Sequence, residues 1–304
     1  MTTRARKNLG RVTFVGAGPG DPGLLAVHAV EALRGADVVF ADAAVNPAVS
    51  ELGGCEVRGV ESSPAETAKL LLAEARNGLT VVRLVGGDPF ADETAVKEAL
   101  AVAKTVVPFD VVPGLPAGLG AATYAGVAYG PIRTSMEITD AAALDTREFE
   151  ALAATLGTLV LTVPAADVRL VGEQLVANGL KPDTPLTVSC GATTTSQQTI
   201  SGTVGDLELA AVGMTGPLVI TIGKAAAHRE KLAWWESRSL YGWKVLVPRT
   251  REQAAAMSER LRSYGAVPVE VPTIAVEPPR TPTQMERAIK GLVTGRYEWI
   301  VFTS

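Results

Sequence analysis

Cysteine and histidine are almost absent: 304 residues hold two of each. Cys55 and Cys190 stand too far apart and alone for a disulfide framework or a cysteine-rich zinc site. With only His28 and His228, a transition-metal centre or histidine acid–base chemistry has little to work with. No metal site is expected, and chemistry must run on carboxylates, backbone groups or a cofactor. No apolar run reaches the roughly 18 to 20 residues that a bilayer requires. The basic opening Met1–Asn8 leads directly into Val12–Val15, without the apolar stretch of a signal peptide. Residues 1–9 therefore read as a disordered tail on a cytoplasmic protein. A long basic run is also missing, and 28 Lys and Arg face 32 Asp and Glu, a net charge of −4. That balance argues against nucleic acid as the main partner, while leaving room for a local basic pocket.

Against those absences, 47% of the residues are hydrophobic, enough for two or three domains with their own cores. Short Val- and Leu-rich runs alternate with helical stretches: Val12–Val15, a helix near Pro22–Leu33, Val38–Phe40, a helix near Pro64–Ala75, then Val81–Leu84. This is the rhythm of a β-α-β-α-β unit with buried parallel strands. A second series comprises Thr158–Thr162, a helix near Ala166–Asn178, Leu186–Ser189 and Leu218–Ile222. Between the two series, the Gly- and Ala-rich segment Gly114–Tyr129 reads as a helix packed closely on a neighbour. From Trp243 the pattern restarts, with strands at Lys244–Pro248 and Val267–Val271, a helix at Glu252–Tyr264 and a final strand at Trp299–Phe302. A strand with no covering helix after it suggests an unfinished domain. The expected organisation is an N-terminal α/β domain at 10–113, a second at 114–238 and an incomplete α/β segment at 239–304.

Two loops carry ligand-binding chemistry. The first strand runs into Gly16-Ala-Gly-Pro-Gly-Asp-Pro-Gly23, whose glycines allow positive φ and close approach while Pro19 and Pro22 stiffen the backbone. Asp21 before Pro22 reads as an N-cap with proline at the first helical position. The spacing is not that of a phosphate cradle, since no Gly-Lys-Ser/Thr follows and Asp21 replaces the third glycine of G-x-G-x-x-G. Asp42, ending the second strand, could mimic the ribose-binding acid of a dinucleotide fold, so a nicotinamide-dependent dehydrogenase stays open as an alternative. The other loop, Gly86-Gly-Asp-Pro-Phe90, sits at the carboxyl end of the third strand, where open α/β sheets bind ligands.

Taken in order, Val15–Leu25, Ala36–Asp42, Val81–Phe90 and Val112–Gly114 resemble the signature of the tetrapyrrole methylases. The nearest branch is uroporphyrinogen-III C-methyltransferase, and the likeness continues through Thr158, Thr184-Pro185, Gly191, Gln197-Gln198 and Lys231–Trp234. The resemblance implies two α/β domains with a cleft between them, a homodimer, and S-adenosylmethionine as cofactor. It further implies methylation of uroporphyrinogen III, a tetrapyrrole, at carbons 2 and 7 to give precorrin-2. By motif position, Asp42 would be the proton acceptor, and Pro19, Gly86, Gly87, Asp88, Ala91, Ala117 and Gly191 would line the cofactor site.

The sequence departs from the family at the substrate wall. Ala41 replaces a Tyr, Val60 and Val85 replace Lys, and Asp92–Ala95 replaces a Gly-rich segment that carries Arg. Pro116 replaces a Thr, Gly130–Ile132 a Thr-His-Arg triplet that Arg133 would partly restore, and Val163-Pro164 a Met-Gly pair. These departures motivate a second reading, a non-catalytic methylase domain serving as scaffold for a fused synthase. Lys244–Gln253 and Tyr297–Ser304 are similar to the opening of uroporphyrinogen-III synthase. That enzyme needs more chain than this, so no synthase activity is expected of the segment.

Overall fold

The computed structural model describes residues 9–60, 63–248, 251–271 and 282–296. It divides into two compact units, 1–241 and 242–304. In the first unit the elements run β1 (Arg11–Gly16), α1 (Val27–Arg34), β2 (Val38–Asp42), α2 (Pro47–Ser50), β3 (Glu56–Val60), α3 (Pro64–Arg76), β4 (Thr80–Val85), α4 (Glu93–Ala103) and β5 (Phe109–Val112). They continue with α5 (Ala117–Tyr124), β6 (Arg133–Glu137), α6 (Thr146–Ala153), β7 (Thr158–Pro164), α7 (Val168–Ala177), β8 (Pro185–Cys190), β9 (Gln198–Thr203), α8 (Leu207–Ala210), β10 (Pro217–Ile222) and α9 (Arg229–Leu232).

The first sheet has the order β3-β2-β4-β1-β5, and every pairing in it is parallel. Both faces are covered, as the continuous apolar runs of its inner strands demand. Val12, Phe14, Val38 and Phe40 pack with Leu71 and Ala75 of α3 and with Ala99 and Val102 of α4. On the other face Val15, Val39, Val82 and Leu84 pack with Ala29 and Leu33 of α1. β1 and β4 are neighbours whose following helices leave to opposite faces, so the loops after them meet at a topological switch point. α1 starts later than the sequence suggests, because Pro22–Leu24 forms a separate 3-10 turn capped by Asp21 before the helix begins at Val27.

The second sheet has the order β6-β7-β10-β8-β9, with β6 parallel to β7 and the other pairs antiparallel. Its larger core gathers Phe149, Leu159, Leu161, Val171, Leu175, Leu186, Leu218 and Ile220. Across the sheet, Ala121 of α5 packs on Val160 and Val219. A Cβ on Gly118 would lie 3.1 Å from Val160 and 3.2 Å from Thr162, so the close approach expected of the Gly- and Ala-rich segment is realised by bare backbone. In the second unit, β11 (Lys244–Val247) pairs in parallel with β12 (Val267–Glu270), with helices α10 (Arg251–Ser263) and α11 (Pro282–Val293). The expected tail at its first eight positions and the expected strand at Trp299–Phe302 lie outside the described residues.

Candidate active site at two glycine-lined strand ends

The loop after β1 and the loop after β4 are joined directly. Gly18 N–H donates to the Gly87 carbonyl at 3.2 Å and Gly87 N–H to the Gly18 carbonyl at 3.0 Å, an isolated antiparallel bridge. Both residues adopt left-handed backbone, with φ of 66° and 65°. A third backbone closes in from the end of β5. A Cβ on Gly114 would sit 2.0 Å from the Gly87 carbonyl oxygen, and one on Gly16 would sit 2.5 Å from the Gly114 Cα. Gly16 and Gly114 are thus glycine because main chains meet where no side chain fits, whereas Gly18 and Gly87 are glycine for their left-handed backbone.

The other sequence-derived residues gather round this knot. Asp88 braces it from within, its carboxylate accepting from Gly114 N at 2.9 Å and from Phe90 N at 2.9 Å. Pro19 packs toward α5, where a Cβ on Gly120 would touch its ring at 2.7 Å. Ala117 opens α5 with its backbone nitrogen 3.7 Å from where a Gly87 Cβ would lie. Gly86 is exposed with open space beside it, and Ala91 is exposed just beyond. Gly191, also exposed and left-handed, begins the turn after β8. That turn reaches the first loop: Thr193 Oγ1 accepts from Asp21 N at 3.1 Å, and an added Gly20 Cβ would lie 3.4 Å from Ala192 O.

Asp42 closes the rim. Its Oδ2 accepts from Gly86 N at 3.2 Å and its Oδ1 meets Arg83 Nη2 at 2.6 Å. Arg83 is 2% exposed and Glu98, which grips it through Nε at 2.7 Å and Nη2 at 3.1 Å, is fully buried. Burial pushes the Glu98 carboxyl above its ordinary range, against the pull of Arg83.

Of the substituted positions, Val85 is buried, Val163 lies in the core of the second sheet, and Val60 packs against the α3- and α4-covered core of the first sheet, paired in register with Asp42. Arg133 stands at the start of β6, paired with Thr158, whereas the strand's other end, Glu137, pairs with Thr162, which lies against Gly118 of α5. Its guanidinium lies over the Tyr129 ring at 5.2 Å. Glu137 has its carboxyl raised by burial first and then by the charge of Asp92, the residue that caps α4.

Sequence reasoning missed the supports of these loops. Thr193, at φ 62°, is the non-glycine residue held left-handed among the described ones, and its N–H donates to buried Gln197 Oε1 at 2.7 Å. Gln197 in turn donates to Glu236 at 2.9 Å and accepts from Tyr241 through its carbonyl at 2.5 Å. Trp235 Nε1 donates to Thr194 O at 2.9 Å, and Tyr124 OH donates to Asp21 at 2.8 Å. Arg83 did carry a signal, a lone charge within Val81-Val-Arg-Leu-Val85.

Comparison with known proteins follows the same lines. Residues 11–208 match the family model of the Tetrapyrrole (Corrin/Porphyrin) Methylases, and residues 255–304 match that of Uroporphyrinogen-III synthase HemD. Siroheme synthase 2 of Aeromonas hydrophila is 36% identical over 76% of this chain and 52% of its own length. The porphyrin biosynthesis protein HemD of Ruminiclostridium josui is 31% identical over 97% of this chain and 62% of its own. The chain thus spans between about half and three-fifths of these relatives. A crystal structure of a uroporphyrin-III C-methyltransferase from Thermus thermophilus superposes with a TM-score of 0.64 at 30% identity, covering 74% of this chain and 96% of that one. Another from the same organism, complexed with S-adenosylhomocysteine, gives 0.62 at 26% identity over 72% and 99%. The model match over most of the first unit displaces the nicotinamide-dependent alternative: this chain belongs to the tetrapyrrole methylases.

Proposed function

We propose that this chain carries methyl groups from S-adenosylmethionine to carbons 2 and 7 of uroporphyrinogen III, giving precorrin-2, and that it works as a cytoplasmic homodimer. The observation that carries the reading is the backbone bridge between Gly18 and Gly87, closed from a third side by Gly114. Such a knot leaves main-chain groups and short side chains, rather than long ones, to receive a flat nucleoside.

The residues present fit that cofactor. Open space lies beside Gly86, the neighbouring Pro19, Ala91 and Ala117 are small, and the first turn of α5 has no capping side chain to compete for its N–H groups. Pro19, Gly86, Gly87, Ala91, Ala117 and Gly191 would hold the cofactor by contact, while Asp88 would act by fixing the loop. When bound, the sulfonium supplies an electrophilic methyl, for which an electron-rich reduced pyrrole carbon is a matched acceptor. The chain's own share is orientation, exclusion of water and removal of a proton. Asp42 suits the last task, since its side chain is 29% exposed and its carboxylate keeps lone pairs beyond those that Arg83 and Gly86 occupy. The test is precorrin-2 formation from purified uroporphyrinogen III and S-adenosylmethionine. Product supports the reading; none from a chain that binds S-adenosylhomocysteine rejects this acceptor.

The scaffold reading is favoured by one observation. Asp92 and Glu137 put acid where a substrate with eight carboxylates needs base. A chain that takes up no S-adenosylhomocysteine at millimolar concentration would fit that reading instead.

A further inference from the structure

A buried arginine in the middle of a parallel strand needs a reason. The guanidinium of Arg83 is enclosed at 2% exposure on the face of the first sheet that α3 and α4 cover, among Phe14, Phe40 and Val81. Taking such a charge out of water is costly unless it is paired and its N–H groups are used. Glu98 of α4 takes the Nε and one Nη2 proton in a two-pronged grip, and the Leu84 carbonyl takes one from Nη1 at 2.9 Å. That pair would satisfy a structural ion pair by itself. Yet the same Nη2 also meets Asp42 Oδ1 at 2.6 Å, and the other Asp42 oxygen is bound by the N–H of Gly86. A chain of four groups therefore runs from α4 through β4 to the end of β2 and on to the ligand loop.

The consequences for Asp42 are geometric and electrostatic. As the last residue of a strand, it would otherwise be free to turn its carboxylate to solvent. Held at both oxygens, it is fixed against the Gly86 loop. Glu98 shares the charge of Arg83, so the ion pair between Arg83 Nη2 and Asp42 Oδ1 orients the carboxylate from within a network rather than from a lone cation.

We infer that Arg83 and Glu98 are positioning residues for methyl transfer, a two-residue clamp that aims the Asp42 carboxylate at the edge of the glycine cradle. The inference rests on the proposed methylation and on Asp42 as its proton acceptor. Single replacements are poor tests, because each leaves an uncompensated buried charge. The double variant Arg83→Met/Glu98→Leu removes both charges and keeps the volume apolar, so the fold survives. Affinity for S-adenosylhomocysteine should stay within about threefold of the parent, whereas kcat for precorrin-2 formation should fall by at least about tenfold, the order expected when a reacting group is misaimed. An unchanged kcat would overturn the clamp and leave a purely structural ion pair. If the parent itself makes no precorrin-2, the methylation reading fails separately. The clamp is then decided by crystal structures of parent and double variant: Asp42 still bonded to Gly86 N–H in the variant contradicts it, and Asp42 turned away supports it.

Discussion

A methyl group on Gly114 would come within 2.0 Å of the Gly87 carbonyl oxygen and 2.8 Å of the Gly16 Cα, with main chain on both sides and nothing flexible to yield. Gly114→Ala should therefore destabilise the first unit by about 1 to 3 kcal/mol, as overpacking does, and weaken S-adenosylhomocysteine binding at least tenfold. Chemical denaturation and calorimetric titration check the two halves, and an unperturbed variant would mean that the three loops are looser than the geometry requires. Asp42→Asn makes a different claim. It keeps the shape at the rim but cannot take a proton, so turnover should fall by about 100-fold or more while S-adenosylhomocysteine affinity stays nearly the same. Gly16–Gly23, Gly86–Asp88 and Asp42 were legible in the sequence because glycine, proline and aspartate cluster within a few positions of a strand end. The clamp on Asp42 was not, since Arg83 and Glu98 come together only when α4 folds over β4. Nor was the support of Thr193 by Gln197, whose meaning depends on a left-handed φ that threonine does not advertise.

Among elements, the segment Leu232–Tyr241 acts as a strap across the loops of the second sheet. Tyr124 lies 5.0 Å from Trp234 and 4.7 Å from Trp235, centroid to centroid, and Arg238 stacks over Trp235 at 4.1 Å. The hydroxyls of Tyr124 and Tyr241 are both held protonated beyond the ordinary tyrosine range, by burial first, then by Asp21 at one and Glu236 at the other. A group whose folded pKa is raised stabilises the protein below its unfolded value and loses that contribution as pH climbs through the folded one. Stability should thus hold up to about pH 10 and decline above it, and Tyr124→Phe/Tyr241→Phe should flatten that decline. Denaturant midpoints measured from about pH 9 to about pH 11 decide the point; equal slopes in parent and variant would contradict it. The inner strands β1, β2, β4, β7, β8 and β10 were readable as apolar runs. Those not anticipated as strands, β3, β5, β6 and β9, are all sheet edges, where one side is solvated and the composition turns polar, as in Arg133-Thr-Ser-Met-Glu137.

At the scale of the whole molecule, the compact unit ends at Tyr241, the last residue of the strap. A fragment of residues 1–241 should fold and bind S-adenosylhomocysteine as the full chain does, whereas one ending at Lys231, without Trp235, Glu236 and Tyr241, should bind at least tenfold more weakly, because the turn at Thr193 loses its support. Equal affinity of the two fragments would remove the strap from the account. The central claim is that the paired glycine loops form one cofactor cradle. Calorimetric titration of the full chain with S-adenosylhomocysteine tests it most directly. The predicted result is micromolar binding at one site per chain, weakened at least tenfold in Gly114→Ala. No heat of binding at millimolar ligand, or binding that survives that substitution intact, would contradict it.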